Sequence, residues 1–493
     1  MKFGNWLTAA PATLGGLTQR GWGVLIVGIM CMVLSVVAQK WALGLSLLGG
    51  ALLFDLVFVI RFGATPGRTI AAVIGDKIGH GRRTASREAL YRSGLFSNLP
   101  PEAASALPGP LANLEELDGV DGAGQPYTLL YHPSVRSLAV TFACTPDGTD
   151  LQPQEHIDAQ VSHFGGWHSM LSRDSAIEGA VIVVDSALAS SEPLIERIDR
   201  SIAAHAPTIA QDATREAARR LPPRDASVDV YTTAVWSVPK LGGDLDDAAA
   251  EVAAKLPAHR QQLMSSGAGQ VYAATSEELA RVVRVAYNPD RSREFGTDDI
   301  DGRPLRTRLT SAGPEVLSDA QTRVCFHDGV ASMTAMMTVP PRMHITESFM
   351  QDLFAPQQKF LRKRVAVFYR PMNGGEGVGR ATSLRRSLGV QATAGAPNQF
   401  TQHAQILSGK LESELVQGAM MTRFAIEVTV TFHPTAKGYR EATQKLKEIL
   451  EGANLEYRFV DVDTSAAFHC TLPLGVLPWQ YATTIQSFTE GDA

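Results

Sequence analysis

The chain has 493 residues with 45 Lys and Arg against 50 Asp and Glu, a formal charge of -5. That balance gives no support to a body built to grip nucleic acid, whose footprint is a basic face. Its four cysteines, Cys31, Cys144, Cys325 and Cys470, lie far apart and form no C-x-x-C pair, which excludes a disulfide framework and a zinc site of ordinary spacing.

The first predicted elements are two apolar runs in an otherwise balanced chain of mean hydropathy -0.02. Trp22 to Ala38 reads WGVLIVGIMCMVLSVVA and Trp41 to Ile60 reads WALGLSLLGGALLFDLVFVI. A membrane span needs roughly 20 apolar residues to cross about 30 Å of hydrocarbon. The runs therefore predict a transmembrane helical hairpin over residues 1–62, turning at Gln39 and Lys40. A buried hairpin in a water-surrounded core would show polar positions in runs of this length. A cleaved signal peptide would show one run and an A-x-A-like site.

Lys2 and Arg20 precede the first run, only Lys40 lies in the turn, and Arg61, Arg68, Lys77, Arg82, Arg83 and Arg87 follow the second. The positive-inside tendency then predicts a multi-pass protein of the cell membrane with both termini cytoplasmic, Trp22 and Trp41 anchoring at the interfaces. Asp55 inside the second run reads as a boundary residue of modest structural role, as a polar contact with a neighbouring membrane subunit, or as part of an ion path. Two spans are too few to enclose such a path.

Residues 63–125 read as a basic juxtamembrane connector suited to anionic headgroups. It is helical at first, then loop-rich at Pro100-Pro101, Pro108-Gly109-Pro110 and Gly119 to Gly124. Residues 126–310 read as a first cytoplasmic α+β domain. Tyr127 to His132, Arg136 to Cys144, Gly179 to Asp185, Val228 to Val238 and Gln270 to Thr275 are its predicted strands. Glu155 to Ser172, a segment from Ser191 towards Arg220, Leu245 to Leu263 and Ser276 to Tyr287 are its predicted helices.

A second domain covers 311–480, with a tail at 481–493. Gln321 to Phe326 and Ala331 to Val339 flank the turn His327-Asp328-Gly329, and Arg364 to Tyr369 is a strand. Phe400 to Gln417 is a helix. Phe424, Ile426, Val428, Val430 and Phe432 alternate with polar residues as the clearest half-buried strand. A helix from Pro434 to Gly452 and a strand from Leu455 to Val462 follow. The unit Phe424 to Val462 matches Val228 to Thr275 in order and spacing. The predicted fold class is α+β, a transmembrane hairpin followed by two ferredoxin-like α/β sandwich units.

Motifs of chemistry are sparse. Gly374-Gly375-Glu376-Gly377-Val378-Gly379-Arg380-Ala381 has P-loop-like glycine spacing, but Arg380 and Ala381 replace the Lys and the hydroxyl, and Glu376 would repel phosphate. It reads as a flexible loop. Gly79-His80-Gly81 and Gly267-Ala268-Gly269 lack the third glycine of a dinucleotide fingerprint. His156, His163 and His168 share one predicted helix without the i, i+4 spacing of paired ligands. Met333, Met336, Met337, Met343 and Met350 read as core or contact surface. No catalytic, cofactor-binding or metal residue is assigned, no cofactor is expected, and the chain is expected not to be an enzyme.

In order along the chain stand Gly165-Gly166-Trp167-His168, Val285-Ala286-Tyr287-Asn288-Pro289, Val367-Phe368-Tyr369-Arg370-Pro371 and Thr471-Leu472-Pro473-Leu474-Gly475. With the two apolar runs and the basic connector, these resemble an actinobacterial family of two-span membrane proteins found with conjugation-type (type IV-like) secretion systems. In that family the hairpin is similar to PrgI-type membrane proteins, and the body to the non-motor N-terminal domain of conjugation ATPases. Asn288 stands where the family pattern leads one to expect Asp. The resemblance implies a structural membrane subunit that docks a separate secretion ATPase at the cytoplasmic face. Its partners would be the lipid bilayer and other membrane subunits, with oligomerisation inside the apparatus and no direct nucleic-acid binding. A membrane subunit of a type VII secretion system is the alternative.

Overall fold

The computed structural model describes residues 3–4, 19–59, 69–93, 107–146, 152–190, 205–220, 224–292, 308–341, 344–345, 350–372, 374–394, 399–416 and 420–481, with a few single positions between them.

The two apolar runs form helices α1 (Gln19–Val37) and α2 (Trp41–Phe54). They turn back on each other through Gln39, which takes a left-handed φ of 56°. The pairing is close because glycines face it. A Cβ on Gly28 would meet Ala51 Cβ at 2.7 Å, and one on Gly44 would meet Ser35 Cβ at 3.0 Å.

The expectation of membrane spans is corrected. Among the described residues no helix is long and apolar enough to cross a membrane. The apolar part of α1 rises about 24 Å at 1.5 Å per residue, and α2 rises about 21 Å, against roughly 30 Å of hydrocarbon. The second run does not continue as α-helix to Ile60, because it changes to a π-helix over Asp55–Val59. The transmembrane hairpin, the multi-pass placement in the cell membrane and the cytoplasmic assignment of both termini are therefore not retained. The side chains of Trp22, Arg61 and Arg68 fall outside the described residues.

Helix α3 (Ile70–Ala85) follows, its start capped by the Thr69 hydroxyl accepting from Ala72 N–H at 3.3 Å. Arg82 and Arg83 in its last turn suit the negative end of the helix dipole. Arg83 also pairs with Asp463 near the end of the chain.

The body is built on strands β1 (Leu90–Arg92), β2 (Glu115–Val120), β3 (Pro126–His132), β4 (Ser137–Thr145), β5 (Ile177–Ser190), β6 (Arg224–Ser237) and β7 (Gln270–Ala273). They continue with β8 (Val316–Ser318), β9 (Cys325–His327), β10 (Val330–Val339), β11 (Arg362–Pro371), β12 (Thr422–Phe432) and β13 (Glu456–Phe459). All 13 belong to one sheet, in the order β1-β8-β9-β10-β12-β11-β5-β6-β4-β3-β2, with β13 beside β10 and β7 beside β4. Every pairing between these strands is antiparallel.

The two separate sandwich units expected from the sequence are thus corrected to one continuous sheet. The reason is the β5–β11 ladder, which runs from Ser186↔Lys363 to Tyr369↔Ala180 and joins what the strand order suggested were two edges. The stretch read as a connector supplies α3 and the strands β1 and β2.

Side chains alternate across a strand, so the sheet buries two faces. On one face, α4 (Gln154–Arg173) and α6 (Leu245–Leu263) cover Leu138, Val140, Phe142, Ala234 and Trp236. Further along that face, α11 (Ala436–Gly452) covers Val365, Val428 and Val430. The opposite face carries Ala139, Val181, Val183, Val235, Ala366 and Phe368. It lies under α7 (Ser276–Tyr287), α12 (Thr464–Cys470) and the irregular segment Thr471–Leu477.

The hairpin after β11 encloses two further helices, Gly374–Ala394 and Gln399–Val416, which pack on each other.

Candidate functional site

The groups with most chemical potential lie on the sheet face under Thr471–Leu477. Register places Thr334, Thr429, Arg364, Asp185 and Asp229 side by side across β10, β12, β11, β5 and β6. Arg364 and Asp185 are each 1% exposed. Arg362 Nε donates to Asp185 Oδ1 at 2.7 Å, and Arg364 Nε reaches the Thr471 hydroxyl at 3.4 Å. The guanidinium of Arg364 lies 4.4 Å from the centre of the Phe468 ring, a cation–π arrangement that strengthens when dry. Burial pushes Arg364 down to about 10. Its Nη1 and Nη2 and Asp185 Oδ2 have no hydrogen-bond partner.

Beside this row stands a chain of imidazole and phenol groups. His327 Nδ1 is 2.6 Å from the Tyr287 carbonyl and its Nε2 is 2.8 Å from the Ser332 hydroxyl. The Tyr287 hydroxyl is 2.6 Å from His469 Nε2. Burial drives His327 and His469 down to about 3 and holds the Tyr287 phenol well above its ordinary value. Near neutral pH both imidazoles are therefore uncharged, and the phenol keeps its proton. Such groups fix a structure, and a general base would need a pKa near the working pH.

A shallow cavity of ≈ 270 Å³ lies at the end of β3, lined by Gly109, Pro110, Leu114, His132, Ser134 and Tyr481 among others. His132 there is pushed down to about 4 by burial, with its Nε2 2.8 Å from the Leu474 carbonyl. Its ring is thereby committed to the chain itself.

The residues singled out in the sequence are dispersed. His156 and His163 are exposed on α4, whereas His168 sits 4.4 Å from the Tyr369 ring and is pushed down to about 4 by burial. Among the described residues no cluster of His, Cys, Asp and Glu could hold a metal ion, and the four cysteines are free. Gly374–Ala381 begins a helix where a loop was expected, with Glu376 in its first turn and Ala381 buried. The Glu376 carboxylate lies 3.9 Å from the Arg423 guanidinium, and its negative charge in the first turn works against a bound phosphate. Gly79-His80-Gly81 lies inside α3, and Gly267 takes a φ of 87° after α6.

The turn after His327 forms as expected, with Asp328 at φ 37° and Gly329 at 85°. Met333 is core under α11, Met336, Met337 and Met350 are partly buried, and Met343 lies outside the described residues. Asp55 is 2% exposed with neither carboxylate oxygen bonded.

Sequence reasoning missed His132, Arg364 and His469. Arg364 stands at the start of a predicted strand, and nothing local marks it as buried; its place across the sheet does. The short motifs gave a partial signal, because the first and third of them meet in space. His168 packs on Tyr369, and Tyr287 binds His469 just ahead of Thr471-Leu472-Pro473-Leu474-Gly475.

No family model matches this chain, and no curated protein matches it.

Proposed function

We propose that this chain is a non-catalytic docking subunit of a larger assembly, and that the assembly is a conjugation-type secretion apparatus in which it seats a separate secretion ATPase. The observation that supports this reading is the surface of the α1–α2 hairpin. Ile26, Met30, Val33, Leu34, Val37, Leu43, Leu45, Leu52 and Leu53 are all exposed on it, Val37 at 77% and Leu45 at 67%. A helix apolar on all sides belongs in the interior of something larger. Keeping such a surface in water costs about 25 cal/mol per Å², and contiguous apolar patches of this kind mark interaction sites.

The occupants are apolar helices of neighbouring subunits. The hairpin offers helix flanks, and Gly49 and Gly50 on α2 have open space around them, so another backbone can approach. The assembly itself is taken from the order of the four motifs along the chain, two of which touch through His168 and Tyr369.

The test is affinity purification of the full chain from its own cells, with mass spectrometry of what accompanies it and a nucleotide-turnover assay of the product. Co-recovery of a P-loop secretion ATPase, with no turnover by the purified chain, is the expected result. A chain that emerges alone and hydrolyses nucleotide would overturn the reading.

A further inference from the structure

The single sheet has an internal symmetry of pairing. In its first half β7-β4-β6-β5 run side by side, and in its second β13-β10-β12-β11 do the same. Each group reads strand, connection, strand, connection, strand, helix, strand in the chain. The detail repeats as well. Leu129 to His132 of β3 pair with Ser137 to Val140 of β4, whose far end, Phe142 to Thr145, pairs with β7. Likewise β9 pairs with Val330 to Ser332 of β10, whose far end, from Ala335, pairs with β13. The two groups meet through equivalent strands, β5 and β11, antiparallel to each other.

The contacts on the covered face are exchanged between halves. His327, at the end of β9 in the second half, binds the carbonyl of Tyr287, which closes the last helix of the first half. His132, at the end of β3 in the first half, binds the carbonyl of Leu474, which follows the last helix of the second half. Two histidines at matching hairpin ends thus hold the trailing segment of the opposite half. Thr141 adds a hydrogen bond to the Pro473 carbonyl at 2.7 Å, and Tyr287 and His469 close the exchange at its centre.

We infer that the chain is an internal pseudo-dimer, in which residues 107–292 and 308–481 present to each other the interface of two associating subunits. The partner that fits the β5 edge and the His132 hook is the second half of this same chain. The peptide linking the halves is then dispensable for their association. A covalent link adds only effective concentration, on the order of millimolar for short linkers in general.

The experiment places a specific protease site within residues 293–307 of the full chain and cleaves it after purification. The expected result is one species containing both pieces, stable at micromolar concentration in gel filtration with light scattering. Pieces that separate under native conditions would overturn the inference. A second arm compares the His132→Ala, His327→Ala double variant with Val252→Ala, a change beneath α6 inside the first half. The exchanged hooks predict that the double variant lowers the urea midpoint of the cleaved protein more than that of the intact one. Val252→Ala should lower both alike. Equal shifts for the double variant would contradict the exchange.

Discussion

At the scale of single residues the molecule is governed by ionisable groups taken out of water. His327 and His469 are held down to about 3, and His132, His168 and His259 to about 4, burial being the first cause in each case. An unfolded histidine titrates near 6.5, so below that pH the unfolded chain binds protons that the folded chain refuses. The stability these residues contribute is complete above about pH 6.5 and is lost as the pH falls towards 3, at up to about 1.4 kcal/mol per unit for each. Glu427 works in the opposite sense, because burial raises it to about 7. Its carboxyl is neutral and tolerated below about 4.5 and costs stability as the pH rises through 7.

Urea unfolding at pH 5, 6, 7 and 8 checks both. His327→Gln should flatten the loss on the acid side, and Glu427→Gln should be near neutral at pH 5 and stabilising at pH 8. The row at the β5–β11 junction gives another expectation. Asp185 accepts from Arg362 in a nearly dry setting, and removing one partner of a buried pair costs up to about 3–5 kcal/mol, less here because Asp229 remains 4.0 Å from the Arg362 guanidinium. Asp185→Ala should show that reduced loss in the same assay, whereas breaking an exposed pair such as Lys437–Glu441 should leave the urea midpoint nearly unchanged.

At the scale of elements, much of the chain is legible where local chemistry decides. The helices Leu245–Leu263 and Ser276–Tyr287 begin and end where the sequence predicts. Asp244 accepts from Asp246 and Asp247 N–H at one start, and Thr275 forms a capping box with Glu278 at the other. Thr275→Ala should therefore cost about 1 kcal/mol, read as a drop in the thermal midpoint with the far-ultraviolet spectrum unchanged. The strand from Phe424 to Phe432 is legible from its alternation, but it is not half-buried, because its polar residues Glu427, Thr429 and Thr431 are buried too.

Elements went unread where tertiary contacts outweigh propensity. Gly374-Gly375-Glu376-Gly377 has the composition of a loop. It is nonetheless helical, because Ala381, Leu384 and Leu388 bury themselves in the helix pair that follows β11. The short strands β1, β2 and β8 carry too little pattern to be seen without their neighbours. The apolar runs near the start were legible as helices and as a hairpin. Their lengths were not, since nothing in the sequence marks the change to π-helix at Asp55.

At the scale of the whole molecule the decisive fact is the fusion of two strand groups into one sheet. Pairing between β5 and β11 joins residues nearly two hundred positions apart, and no local pattern encodes which edges will meet. The buried charges Asp185, Lys363 and Arg364 at that junction make other registers costly, because a one-residue slip would turn each to the opposite face. The candidate functional surface divides in the same way. Its apolar hairpin could be read directly from the sequence, whereas the row of buried polar groups emerged only from the fold.

The hairpin is where the docking function stands or falls, and one measurement addresses it directly. The full chain and a variant carrying Val33→Ser, Leu34→Gln, Leu45→Gln and Leu52→Gln are tagged, expressed at native level and purified side by side, and their companions are quantified by mass spectrometry. Docking through the hairpin predicts that a P-loop secretion ATPase and further subunits accompany the unaltered chain and fall at least tenfold with the variant, while circular dichroism of the two bodies coincides. Equal recovery of those companions with both proteins would contradict it.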